Sequence, residues 1–131
     1  MARYDKYDPK AGGFRAPVAV AVTSADFGKP FGVGIDANGR VVKGAGTSGV
    51  VGVMINTKAK AVGDIVDVMT HGEIVEATLS DGTTAIAAGV PGYAVPASGL
   101  LSVTATANWR LGHTVEGTRL VVRAGAYAAS A

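Results

Sequence analysis

A chain of 131 residues has room for one domain with a modest core. Hydrophobic residues make up 48% of it but aromatic ones only 6%, so the core must come from Ala, Val and Ile; the 17% of charged residues leaves an unusual share of small, neutral surface. Without cysteine there is no disulfide and no thiolate metal site, and a net charge of +2 is too small for a nucleic-acid groove.

The chain opens on MARYDKYDPKAGGFRA, residues 1–16. Tyr4, Tyr7 and Phe14 stand there among alternating charges, with Pro9 and the Gly12-Gly13 pair and no helical or strand period, which predicts an extended arm. Arg3, Lys6, Lys10 and Arg15 against Asp5 and Asp8 carry the whole net charge of +2. The opening has no apolar stretch of signal-peptide length, and no segment approaches the roughly eighteen apolar residues of a membrane span, so a chain made and kept in the cytosol is expected.

A β domain over residues 17–124 follows, then the small-residue tail of residues 125–131. Val18, Val20 and Val22 alternate with alanines as in a strand partly covered on both faces. Asp36-Ala37-Asn38-Gly39 suits a turn with positive φ, so residues 31–35 and 40–43 form a hairpin. Further strands are predicted over residues 50–55, 64–69, 73–79, 93–95, 100–106 and 118–124, with turns at Thr70-His71-Gly72, Ser80 to Thr83 and Ser98-Gly99. The alanines of residues 84–88 suit at most one helical turn, too short to nucleate unaided. VVGVMINTKAKAVGDIVDVM and WRLGHTVEGTRLVVRA share a layout that fits either a duplication or repeated strand-turn-strand chemistry. Many short strands and almost no helix predict an all-β fold: a small glycine-rich β-barrel or β-sandwich, of β-tulip type, with an extended N-terminal arm.

Gly44, Gly46 and Gly49 in GAGTSG have the spacing of a dinucleotide fingerprint. That fingerprint requires a helix to open next, and the following Val-Val-Gly-Val-Met-Ile is β-branched and reads as a strand, so a strand-to-strand loop is expected. His71 and His113 are the only side chains that titrate near neutrality without perturbation. A metal site with Asp64 or Glu73 and a histidine hydrolase can both be drawn, but no close histidine spacing supports the first and no nucleophile elbow supports the second. Solvated turn histidines, no catalytic set, no metal and no cofactor are expected. AVGDIVDVMTHGEIVEATL has the layout of a biotinyl or lipoyl carrier hairpin, yet its turn holds Met69-Thr70-His71-Gly72 and no lysine for attachment. Trp109, the single tryptophan, has two readings: a core-edge plug in a domain short of large side chains, or, with Arg110, a subunit-interface anchor.

In order and length, the aromatic arm, the hairpin PFGVGIDANGRVVK, the loop GAGTSG, VVGVMI, VGDIVDVMTHGEI and the closing WRLGHTVEGTRLVVR resemble small phage capsid decoration proteins of the lambda head-stabilising type, over residues 14–124. The resemblance implies a non-catalytic cement protein, often a homotrimer, on the outer surface of the assembled shell. Its partners would be the phage major capsid protein and itself, with no direct contact to nucleic acid or membrane, and its place the virion, reached by assembly in the host cytoplasm. For that role Arg3, Tyr4, Lys6, Tyr7, Phe14 and Arg15 are the candidate capsid-binding residues: the rings bury large areas and the cations meet carboxylates. The lambda-type pattern does not anticipate residues 91–122. The alternative is a non-catalytic ligand-binding or carrier-like β-barrel module.

Overall fold

The computed structural model describes the backbone of Arg3–Tyr4 and residues 12–116 and 119–124. Its strands are β1 (Arg3–Tyr4), β2 (Gly13–Pro17), β3 (Phe31–Ile35), β4 (Val41–Lys43), β5 (Gly52–Met54), β6 (Ile65–Met69), β7 (His71–Val75), β8 (Pro91–Ala94), β9 (Leu101–Ser102), β10 (Trp109–Thr114) and β11 (Leu120–Arg123). A single 3-10 turn, Ser24–Asp26, interrupts the strands among the described residues. The strands form a six-stranded sheet of order β1-β7-β11-β10-β8-β9 and a five-stranded sheet of order β2-β6-β5-β3-β4. The fold is therefore all-β, as the short, turn-punctuated strands predict.

Side chains alternate across the five-stranded sheet and feed two cores. Phe31, Val33, Met54, Val66 and Val68 point to one face, where Val18 and Val22 of the segment after β2 cover them. Val53 and Met69 point to the other face and meet Ile74, Leu111, Leu120 and Val122 of the six-stranded sheet. Fully burying each of these side chains contributes about 1.5–3 kcal/mol. Close approach of the sheets depends on Gly32: a Cβ there would lie 2.3 Å from the Cβ of Ala94 on β8. Val18 makes one parallel bridge to Val41, so the far edges of the five-stranded sheet meet at a single point. A single bridge is not a ladder, and the architecture is sandwich-like where a closed barrel was the other expectation.

The 31–35/40–43 hairpin forms in the register Val33↔Lys43, Gly34↔Val42 and Ile35↔Val41. Its turn is held by the Asp36 carboxylate, which accepts from the Asn38 and Arg40 N–H groups at 2.9 Å each. Three expectations are corrected. Residues 13–16, assigned to the arm, belong to β2, which pairs with β6 from Gly13↔Met69 to Pro17↔Ile65; the period-two pair Phe14 and Ala16 is too short to stand out beside so many charges. Residues 18–22 carry only isolated bridges, Val18↔Val41 and Val22↔Lys60. Thr70-His71-Gly72 is no reversal: β6 pairs with β2 and β5, β7 with β1 and β11, and Thr70 alone stands where the chain passes from one sheet to the other. The Thr70 N–H and hydroxyl both donate to the Gly12 carbonyl, at 2.8 and 3.2 Å, and this fixes the corner.

Candidate interaction surface

Each of the two N-terminal strands runs antiparallel to its partner, β1 to β7 and β2 to β6. Arg3 and Tyr4 pair with Val75 and Ile74 through the backbone, and β2 pairs with β6. Lys6 and Tyr7 lie outside the described residues. Phe14 is half-buried against the Val18–Val22–Phe31 core, as alternation on β2 requires. Arg15 points the other way, exposed, and its Nε donates to Asp67 at 2.7 Å. Phe14 and Arg15 thus stand on a strand of the domain and not on an arm.

Trp109 lies half-buried at the margin of the inter-sheet core, its ring directly beneath Gly49 of the GAGTSG loop. Leu111 is a bulge in the pairing of β10 with β8, and across it the Arg110 Nε donates to the Gly112 carbonyl at 3.5 Å. The geometry matches the core-edge reading of the tryptophan. The loop joins β4 to the strand β5, so the helix that a nucleotide fingerprint needs does not follow it. Thr47 and Ser48 instead fasten it to Ile35, whose N–H donates to the Ser48 hydroxyl at 2.8 Å.

His71 and His113 are exposed on the outward face of the six-stranded sheet, with β11 between them: His113 lies opposite Val121 and His71 opposite Arg123. Both are strand residues, His71 the first of β7 and His113 within β10, where a turn or a strand start was expected. Among the described residues no group of three or more His, Cys, Asp or Glu side chains stands close enough to hold a metal ion.

The surface feature that the sequence reading passed over is apolar. Val20, Val62 and Ile65 are 68%, 55% and 52% exposed, and Leu100 and Val103 on the β9 side are 46% and 51% exposed. A cleft of about 270 Å³ runs beside Ile65, between the Ile55–Lys60 loop and the start of β6, with Lys58, Lys60 and Asp67 on its walls. A second groove of about 230 Å³ is lined by Val18, Val20, Val22, Val41 and Met54. Asp26 and Lys43 also line it and form an ion pair at 2.9 Å, with the Lys43 Nζ 3.9 Å above the Phe31 ring. No single residue of this surface carries a motif; the signal available in sequence was a run of Val and Ile set between Lys, Gly and Asp in a loop.

The fold defines an all-β, sandwich-like domain in which β1 and β2 each stand at an edge of one of the two sheets. No family model matches the chain, and no curated protein matches it. Among solved structures, a chain from Mycobacterium phage Patience is similar in fold, with a TM-score of 0.84 over 95% of this chain and 96% of that one, at 19% sequence identity.

Proposed function

We propose that the protein is a phage capsid decoration protein, which binds the outer surface of the assembled major capsid shell and stabilises it without catalysis. The observation that carries this reading is the fold likeness to a mycobacteriophage chain along nearly the whole of both chains, so the neighbour too is about one such domain in extent. Physical chemistry supports it further. The charge of +2 resides in residues 1–15, ahead of an otherwise neutral domain, and Arg3, Tyr4, Lys6 and Tyr7 combine cations with large rings. In an oligomer, a homotrimer by the resemblance, several such weak grips act at high effective concentration on a repetitive wall. Phe14, half-buried against the core, roots the grip in the domain.

Cosedimentation of the full chain with purified shells that lack it tests the reading, with saturable binding as the expected result. Deleting residues 2–11 spares β2 and removes the two-residue pairing of β1; the domain should stay folded and occupancy should vanish. A chain that stays in the supernatant at every concentration would overturn the proposal. The valine-lined groove favours the second reading, a ligand-binding module. Its volume of about 230 Å³ falls below the roughly 300–1,000 Å³ of ordinary ligand pockets, and the capsid reading therefore stands first.

A further inference from the structure

We propose that Asn38 is a site of spontaneous covalent modification, deamidating to aspartate and isoaspartate, and that the Asp36 carboxylate restrains the reaction by holding the turn shut. The step is an attack by the Gly39 backbone nitrogen on the side-chain carbonyl carbon of Asn38. That nitrogen gives its proton to a solvent base, and the new C–N bond closes a succinimide ring. The side-chain nitrogen of Asn38 takes a proton from water and leaves as ammonia. Water then opens the ring at either carbonyl: one opening gives aspartate, and the other puts the side-chain methylene into the backbone as isoaspartate. Nothing is oxidised or reduced, and water is the co-reactant.

The structure separates Asn38 from its competitors. Three asparagines are the only carboxamide side chains in the sequence, and Asn38 alone is followed by glycine, so no side chain hinders the attacking nitrogen. A Cβ placed on Gly39 would meet nothing within 4 Å. Asn38 and Gly39 are both exposed, and the Asn38 carboxamide makes no hydrogen bond among the described residues. Asn108 is buried ahead of Trp109 and donates its amide to the Thr104 carbonyl at 2.9 Å. Asn56 is half-buried ahead of Thr57, and its backbone carbonyl accepts from the Gly28 N–H at 2.8 Å. The same ring can be drawn for Asp81-Gly82, but it needs a protonated carboxyl, and the N–H bonds from Thr83 and Thr84 favour the carboxylate.

In the closed turn the attacking nitrogen is occupied. The Gly39 N–H donates to the Asp36 carbonyl at 3.0 Å, and the Asn38 and Arg40 N–H groups donate to the Asp36 carboxylate at 2.9 Å each. Attack therefore waits on local opening, which the two carboxylate bonds oppose. Each event adds one negative charge to a chain of net charge +2, and isoaspartate lengthens the backbone directly beside the Ile35↔Val41 pairing. This chemistry needs only the turn and holds whether or not the chain binds shells.

Peptide mass spectrometry on the full chain, aged in mildly alkaline buffer, tests it. The peptide that carries Asn38 should exchange the mass of NH2 for that of OH and split on chromatography into aspartyl and isoaspartyl forms, ahead of the peptides with Asn56 and Asn108. Asp36→Ala removes both carboxylate bonds and should speed the reaction at Asn38 about fivefold, leaving Asn56 and Asn108 as they were. Asp36→Asn keeps a side-chain carbonyl as acceptor and should react close to the wild-type rate. Urea, which opens the turn without a substitution, should speed Asn38 in the wild type. Conversion of Asn56 or Asn108 before Asn38 would overturn the site. An Asn38 rate that neither urea nor Asp36→Ala raises, or a rise that Asn56 and Asn108 share equally in Asp36→Ala, would overturn the restraint by Asp36.

Discussion

Gly49 shows how much can depend on a missing side chain. Its φ of +84° suits glycine, and a Cβ there would stand 2.7 Å from the Cη2 of Trp109. Gly49→Ala should therefore cost about 1–3 kcal/mol, from backbone strain plus displacement of the ring, seen as a lower denaturation midpoint and a shifted emission of the single tryptophan. Asp81 carries a different signature. The Thr84 hydroxyl donates to it, then the Thr84 N–H and the Thr83 N–H, the two N–H bonds at 2.8 Å. Together they hold its carboxyl down at about 2, from an ordinary 3.8. Because the folded value is the lower one, the contribution of Asp81 to stability is complete above about pH 4 and is lost as pH falls through 2. An NMR titration of the Asp81 carboxyl should give that low value in the wild type and a value nearer 3.8 in Thr84→Val.

Among the elements, the connection from β7 to β8 has the least regular structure and is held by buried hydroxyls. Ser80 donates to the Pro30 carbonyl at 2.6 Å and accepts from the Leu101 N–H at 2.8 Å, linking this connection to β9 and to the entry of β3. Thr114 on β10 donates to the Ala87 carbonyl at 2.5 Å and accepts from the Val90 N–H at 3.1 Å. Ser80→Ala would leave a carbonyl and an N–H buried without a partner, so a loss of about 1–3 kcal/mol is expected in urea unfolding. By contrast Arg15→Ala breaks an ion pair between side chains 64% and 40% exposed, and its effect should stay below about 1 kcal/mol. Hairpin 31–35/40–43 was legible because its turn chemistry is local. The β6–β7 corner was not: Gly72 looks like a turn signal, and only the distant Gly12 carbonyl decides that the strand continues into a second sheet.

In the molecule as a whole, the ladders β1–β7, β2–β6 and β7–β11 join distant parts of the chain, beside the local hairpins β3–β4, β8–β9 and β10–β11. Gly13 pairs with Met69, and His71 with Arg123. Loop closure has to precede most of the stabilising contacts, so folding should take milliseconds to seconds, followed by stopped-flow fluorescence of Trp109. A microsecond folding phase carrying the full amplitude would contradict this topology. The same long-range pairing explains why the candidate surface escaped notice. Val20 and Val62 lie far apart in the chain, on segments that meet only once Val18 is hydrogen-bonded to Gly63 and Asp64 and Val22 to Lys60.

Residue order alone is enough for the all-β class, the 31–35/40–43 hairpin and the strand after GAGTSG, because each follows from local period or turn chemistry. Folding in three dimensions was needed to partition the strands between two sheets, to draw residues 13–17 into the domain, and to leave Val20, Val62 and Ile65 uncovered. Those outcomes depend on which distant partner takes each backbone hydrogen bond, and a short apolar run carries no record of that choice until its partner is in place.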